Sequence, residues 1–367
     1  MARQQSNKKI TSNPRRAARH EDGSVCIRFG ASAVRGQAEK KGRTMKRFVF
    51  SFAVAVSLAC STAMAADMAV KAPPPAPAPS PWDIAITGGL MSDYNFRGIT
   101  QSNHQPSVQF GLEPRYNFTS ALQGYAGVSG ESIDFPNRAA AEIDFYGGIR
   151  PTFGKLVLDF GVWYYFYPDG QCFNTAALCN SLGGGPSVAA TLPNGNVVKQ
   201  DLSFYEGYGK ATVTVNDNFA FGAQIWGSPS VLNSGAPGIY YTGNVTLTAP
   251  TTWFPNGIGA YASADVGWWQ LGMSDAFYAV AGFPAGIPYT SYLNWDAGLG
   301  FTWKVFTLDL RYYQSNLSKG DCNAFTSSQT ASGVASTPIN PGGPGSDWCG
   351  AAFIAKLSIA TALSAFK

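Results

Sequence analysis

Between Ser107 and Phe118 the chain alternates in hydropathy without a break. Val108, Phe110, Leu112, Pro114, Tyr116 and Phe118 hold one phase, and Ser107, Gln109, Glu113, Arg115 and Asn117 hold the other. Side chains of a strand point alternately to opposite faces, so this segment is predicted to be a strand with one apolar and one charged face. The preceding segment alternates in even phase, with Trp82, Ile84, Ile86, Leu90, Tyr94 and Phe96 set against Asp83, Thr87, Asp93, Asn95 and Arg97. Read as one strand from Trp82 to Arg97, it forms a hairpin with the first across the polar run from Thr100 to Gln105.

The same pattern recurs over residues 141–153, 156–167, 239–249, 258–268, 289–303 and 306–315, and more faintly over 122–133, 202–215, 219–228 and 351–361. With the opening pair this predicts about twelve strands, an even number. The connections carry as much information as the strands. Those after even-numbered strands are short (119–121, 154–155, 216–218 and 304–305), with 251–257 moderate. Several after odd-numbered strands are long, notably 168–200, 269–288 and 316–350. Structureless loops of that length argue against a compact soluble domain, whereas outer-membrane barrels have short periplasmic turns and long external loops. With a periplasmic N-terminus, strand one rises and every long loop falls outside. The expected fold is therefore all-β: a transmembrane, antiparallel, up-and-down β-barrel.

Aromatic residues fit the same scheme. Phe118, Phe153, Phe219 and Trp303 share the apolar phase beside short turns, while Phe96, Phe166, Trp268, Tyr289, Tyr312 and Phe353 share it beside long loops. Those are two girdles, one per membrane interface. The competing fold is a soluble β-sandwich or lipocalin-like barrel with the apolar phase turned inward; it gives such girdles no purpose.

The stretch SDYNFRGITQSNHQPSVQFGLEP, from Ser92 to Pro114, resembles the opening signature of the TorF family of porin-like outer-membrane proteins. The resemblance is echoed in GYAGVSGESIDF, EIDFYGG, GVWYYFYP and LDLRYYQSN, so it spans most of the chain past residue 81. It implies an outer-membrane barrel acting as a porin, and supplies no substrate and no functional residues.

Residues 1–65 carry thirteen Lys and Arg against three Asp and Glu, and the remainder thirteen against nineteen. The overall positive charge therefore belongs to a leader, and nucleic acid is not an expected partner. Met45-Lys46-Arg47, the apolar run from Phe48 to Ala59 and Ala63-Met64-Ala65 together read as a signal peptide over 45–65, cleaved before Ala66. Residues 1–44 then read as an over-extended start. An uncleaved anchor and lipid attachment at Cys60 are the alternatives; Ser57 fits the second poorly. KAPPPAPAPSP closes a proline-rich periplasmic spacer over 66–81, and the barrel is expected over 82–367.

Charges on the predicted strands fall on the polar phase. The acids are Asp83, Asp93, Glu113, Glu131, Glu142, Asp144, Asp159, Glu206, Asp265, Asp296 and Asp309; the bases are Arg97, Arg115, Arg150, Lys210, Arg311 and Lys356. Eleven acids against six bases make an acidic lumen, which favours passage of cations. The opposing possibility is that these groups pair across strands and fill a narrow barrel, since Glu113 and Arg115, or Asp309 and Arg311, lie two apart on one face. The two readings give two functions: a diffusion channel for small hydrophilic, cation-preferring solutes, or a non-conducting structural or adhesive barrel. Membrane lipid is a partner in either case.

Four cysteines follow the leader: Cys172, Cys179, Cys322 and Cys349. Of three possible pairings, proximity favours Cys172–Cys179 and Cys322–Cys349 as loop staples in an oxidising compartment. The spacing does not match a zinc motif. His104 is the one histidine past the leader, and a lone loop histidine does not make a hydrolase triad. No enzymatic activity, metal or cofactor is expected.

Overall fold

The computed structural model describes residues 81–366. The expected leader, signal peptide and most of the proline-rich spacer lie outside the described residues. Twelve strands close into a barrel, numbered here in chain order: β1 Trp82–Met91, β2 Ser107–Thr119, β3 Leu122–Glu131, β4 Glu142–Phe153, β5 Leu156–Phe166, β6 Phe204–Asn216, β7 Phe219–Ser228, β8 Gly238–Thr248, β9 Ile258–Leu271, β10 Tyr292–Trp303, β11 Phe306–Ser315 and β12 Ala352–Ala362. Each strand pairs antiparallel with its sequence neighbours, and β12 returns to β1 with Ala85 opposite Ala362 and Met91 opposite Lys356. At the seam's periplasmic end Asp83 accepts from Ser364 N and Oγ (3.0 and 2.9 Å).

The apolar phase faces out. Val108, Phe110, Val162, Val266 and Leu299 are all more than half exposed, whereas Glu113, Glu142, Asp144 and Glu206 are buried inside. A soluble barrel would reverse this. Closure leaves no unpaired sheet edge, which lipid demands because it offers no hydrogen bonds. Among the described residues no helix is long and apolar enough to cross a membrane; the strands do the crossing.

Aromatic rings mark both rims of the apolar wall. Trp82, Phe118, Phe153 and Trp303 are exposed beside the short turns, and Phe166, Trp268, Tyr312 and Phe353 beside the long loops. Two residues expected in the outer girdle lie elsewhere. Phe96 packs edge-on against Tyr165 and Trp269 (centroids 5.8 and 6.0 Å), and Tyr289 is buried against Phe325 (5.0 Å). The reason is that β1 ends at Met91 and β10 begins at Tyr292, so both residues belong to loops that fold inward.

Those loops build a second core. Trp269, Tyr292, Phe173, Phe277 and Val231 are almost completely buried, and Leu192, Val198, Phe325 and Trp348 join them. The segments 92–106, 132–141, 167–203, 229–237, 272–291 and 316–351, with the strand ends at Trp269 and Tyr292, thus form a packed cap at the outer end. The disulfides Cys172–Cys179 and Cys322–Cys349 staple two of them, each within its own loop, as proximity predicts. Neighbouring loops are bonded to each other: Asn196 and Asn323 exchange amide hydrogen bonds (2.8 and 3.0 Å), Lys199 pairs with Asp275 (2.5 Å), and Thr100 N donates to Trp348 O (3.0 Å).

Candidate functional site: the lumen beneath the cap

The segment 92–106 does not continue β1 as the alternation suggests. It turns into the barrel and makes its own two-residue hairpin, Asn95–Phe96 paired with Ile99–Thr100. The turn residues Arg97 and Gly98 both have positive φ (51° and 80°), as a type I′ hairpin turn requires. Gly98 is required a second time, because a Cβ there would lie 2.8 Å from Asn294 Cβ. Asp93 organises the rest: its Oδ1 accepts from Thr100 Oγ1 and Ser102 Oγ, and its Oδ2 meets His104 Nδ1 at 2.9 Å. His104 Nε2 lies 3.1 Å from Asp347 O in the last loop. The Asp93 hydrogen bond, ahead of opposing desolvation, raises the His104 pKa above its ordinary value. The polar residues of the opening signature therefore tie one plug hairpin together and fasten it to its neighbour.

The hairpin delivers Arg97 into the lumen from a loop rather than from a strand. Its guanidinium binds Glu206 on β6 bidentately (2.9 and 2.7 Å), and both side chains are at least 95% buried. Rings surround it: Phe96, Tyr240 and Trp269 at 4.6, 4.3 and 4.5 Å from the guanidinium carbon, and Trp226 at 5.7 Å. Tyr165 OH adds a bond to Glu206 (3.1 Å), and Tyr292 OH donates to Arg97 O (2.9 Å).

Beside this clamp three carboxylates converge. Oxygens of Glu131, Glu142 and Asp144 lie within 4.8 Å of one another. Glu142 is satisfied by the hydroxyls of Tyr94 (2.6 Å) and Tyr167 (2.9 Å). Burial, with the Glu142 charge next, pushes both phenols well above the ordinary tyrosine value, so they act as neutral donors. Asp144 Oδ2 accepts from Ser129 Oγ (3.0 Å), while Asp144 Oδ1 and Glu131 Oε2 are buried without a hydrogen-bond partner.

Lower in the barrel the charges pair. Arg150 binds Glu113 (2.7 Å) and Asp159 (3.1 Å), and Arg115 also binds Glu113 (2.6 Å). Across the lumen Arg311 binds Asp296 (2.5 Å), Asp309 (3.0 Å) and Ser263 (2.6 Å). Asp265 lies opposite Asp296 in register but takes its hydrogen bond from Thr242 Oγ1 (2.5 Å). Lys210 rests on the rings of Tyr208 and Trp226 (4.4 and 4.6 Å), and Lys356 donates to Gln109 (2.8 Å). Among the ion pairs of the described residues, none involves Glu131, Glu142, Asp144 or Asp265. Strand phase alone could not separate paired from unpaired carboxylates, because pairing depends on cross-strand register. It also missed Glu131 as a member of a cluster; the spacing of Glu142 and Asp144, two apart on one strand face, was the available signal.

A cavity of about 490 Å³ lies under the plug hairpin, bounded by Tyr94 and Arg97 above and by strand residues including Glu131, Asp144, Trp163, Lys210, Trp226 and Asp265. A second, of about 340 Å³, is lined by Asp265, Asp296 and Arg311. Asp265 borders both.

A closed twelve-stranded barrel with an apolar outer wall, ringed by aromatics and charged within, is an outer-membrane β-barrel of bacteria. The model of a family described as "Bacterial protein of unknown function (Gcw_chp)" matches residues 75–192. No curated protein matches the chain. Among solved structures it is similar to an outer membrane channel from Pseudomonas putida (8% identity, covering 78% of this chain and 97% of that one, TM-score 0.38). It is also similar to the NanC porin (9%, 75% and 98%, 0.37) and to LpxR from Salmonella typhimurium (11%, 75% and 99%, 0.36). The assignment to the outer membrane rests on the barrel's own geometry.

Proposed function

We propose that this protein is a diffusion channel for small hydrophilic solutes, selective for cations, whose outer mouth is narrowed by the stapled cap. The supporting observation is the cavity of about 490 Å³ bordered by Glu131, Asp144 and Asp265, carboxylates that no lysine or arginine pairs among the described residues. Unpaired acid in a low-dielectric wall concentrates cations. The sequence resemblance to the porin-like TorF proteins points the same way. This reading gives the protein no catalytic role: His104 serves as a loop fastener between Asp93 and Asp347. The test is conductance of purified protein in planar bilayers, with reversal potential in a salt gradient. We expect K⁺ preferred over Cl⁻ near 0.1 M salt, fading toward 1 M as screening shortens from roughly 10 Å to 3 Å. Anion preference would overturn the charge argument.

A second reading, a non-conducting structural barrel, draws on the continuity of the cap core and on the Arg97–Glu206 clamp. Absence of conductance, even with the disulfides reduced and Glu206 replaced by Gln, would favour it.

A further inference from the structure

The cavity under the plug hairpin joins two kinds of wall. On one side Glu131 and Asp144 present buried oxygens without donors. On the other stand aromatic faces: Tyr146 and Trp163 stacked at 4.0 Å, and Trp226 edge-on to Trp163 at 6.2 Å. The protein's own cations show what such walls hold. Arg97 is caged by rings beside Glu206, and Lys210 sits on Tyr208 and Trp226. Ring faces attract cations through their quadrupole, and more strongly where water is excluded.

We propose that this cavity is a binding site for small organic cations, with an alkyl diamine the best match. The inference rests on the cation-channel reading and deepens it. Apart from the neutral Arg97–Glu206 pair, the lining carries three carboxyl groups, Glu131, Asp144 and Asp265, against one amine, Lys210, so acidic groups outnumber basic ones where a dication would sit. A bare metal ion fits less well. It requires a close shell of oxygen ligands, whereas a cavity of about 490 Å³ whose wall sets rings such as Tyr146, Trp163 and Trp226 beside the acids has room for an organic body. Glu142 is not available as a ligand, since two tyrosine hydroxyls already occupy it. Asp265, shared with the cavity below, places a carboxylate on the route from the periplasmic half.

The experiment is calorimetric titration of the full barrel in lipid nanodiscs with putrescine, and with Ca²⁺ as the competing chemistry, at low salt. Putrescine should bind saturably. Asp144→Asn should weaken binding at least tenfold and Asp144→Glu much less. Trp226→Leu should weaken it about fivefold, with Trp226→Phe near the parent. Retention of the heat-modifiable folded band establishes that each variant is assembled. Absence of saturable putrescine binding, unchanged affinity in both Asp144→Asn and Trp226→Leu, or Ca²⁺ binding that excludes putrescine and ignores Trp226→Leu would each overturn the proposal. Conductance separates the two readings: a conducting barrel without amine binding loses this site and remains a channel. A barrel that binds amine but passes no current keeps the site and is not a channel.

Discussion

Replacing Glu206 by Gln should release the plug hairpin while leaving the barrel assembled. The pair Arg97–Glu206 is bidentate, and its two side chains are 5% and 0% exposed, so it belongs with buried ion pairs rather than surface ones. Removing one partner of a buried pair costs about 3–5 kcal/mol, mostly because the other charge is stranded. Arg97 keeps its surrounding rings in the variant, which favours the lower end, about 3 kcal/mol. At about 1.4 kcal/mol per tenfold, the hairpin's opening equilibrium shifts by roughly a hundredfold. The assay is amide hydrogen exchange in nanodiscs, comparing peptides from residues 92–106 with those from β3 and β9 as internal references. Protection should fall by about two decades in the hairpin and hold in the strands. The double variant Arg97→Met/Glu206→Leu removes both charges together and should recover most of the loss, because neighbouring sites do not add. Unchanged hairpin protection in Glu206→Gln, or a double variant as exposed as the two single effects combined, would refute the clamp.

Other outcomes follow from the same structure. Leu299, exposed on the outer wall in the middle of β10, should not tolerate Arg: a lipid-facing Arg near midplane costs about 2–4 kcal/mol, so Leu299→Arg should lose vesicle refolding on gels where lumen-phase Gln224→Arg does not. His104 has a raised pKa in the folded state, held first by Asp93; its contribution is therefore present below its unfolded pKa of about 6.5 and lost as pH rises through the higher folded value. With the imidazole side chain 41% exposed, that contribution stays below about 1 kcal/mol, read as a small gain in exchange protection of residues 92–106 on acidification that His104→Gln abolishes. Reduction of Cys172–Cys179 and Cys322–Cys349 should open residues 167–203 to protease with the heat-modifiable barrel band unchanged, since strand pairing closes the barrel independently. In reversal-potential measurements Asp265→Asn should cut cation preference more than Asp296→Asn, because Arg311 already neutralises Asp296; equal effects would contradict that.

The barrel was legible because one physical rule wrote it twelve times. A strand between lipid and lumen must alternate, and residues 107–118 or 156–166 can do nothing else. Turn and loop lengths then put the short turns at one end and the long loops at the other, and the nearer cysteines found each other because each pair sits within one loop. The errors arose where alternation continued past the membrane. Tyr94 and Phe96 keep the phase of β1, but Arg97 and Gly98, the next two residues, adopt positive φ, and a hairpin alternates just as a strand does. Periodicity reports extended backbone; it does not report what the exposed face meets. The pair Arg97-Gly98 between Asn95-Phe96 and Ile99-Thr100 was the local sign of a turn, though the usual Asn-Gly or Asp-Gly was absent.

The cap illustrates a different limit. Phe173, Val198, Phe277, Tyr278, Phe325 and Trp348 lie in segments that composition marks as loops, yet all are buried. Large apolar residues in a loop mean that the loop has something to pack on, and here each loop packs chiefly on the others and on the plug hairpin. That mutual dependence explains why the opening signature is so polar. Asp93, Thr100, Ser102 and His104 spend their hydrogen bonds on one another and on the last loop, so the hairpin can enter the lumen without leaving polar groups stranded among the rings of Trp269 and Tyr292. Arg97 is the charged group that needs an outside partner, and Glu206 on the lumen wall supplies it. The plug is thus anchored to the barrel by this ion pair and by the hydrogen bonds of Tyr94 to Glu142 and of Tyr292 to Arg97 O, and to the cap by hydrogen bonds and packing. Loss of that pair should loosen the tip of the hairpin on the wall while the cap and the Tyr94–Glu142 bond still hold its base.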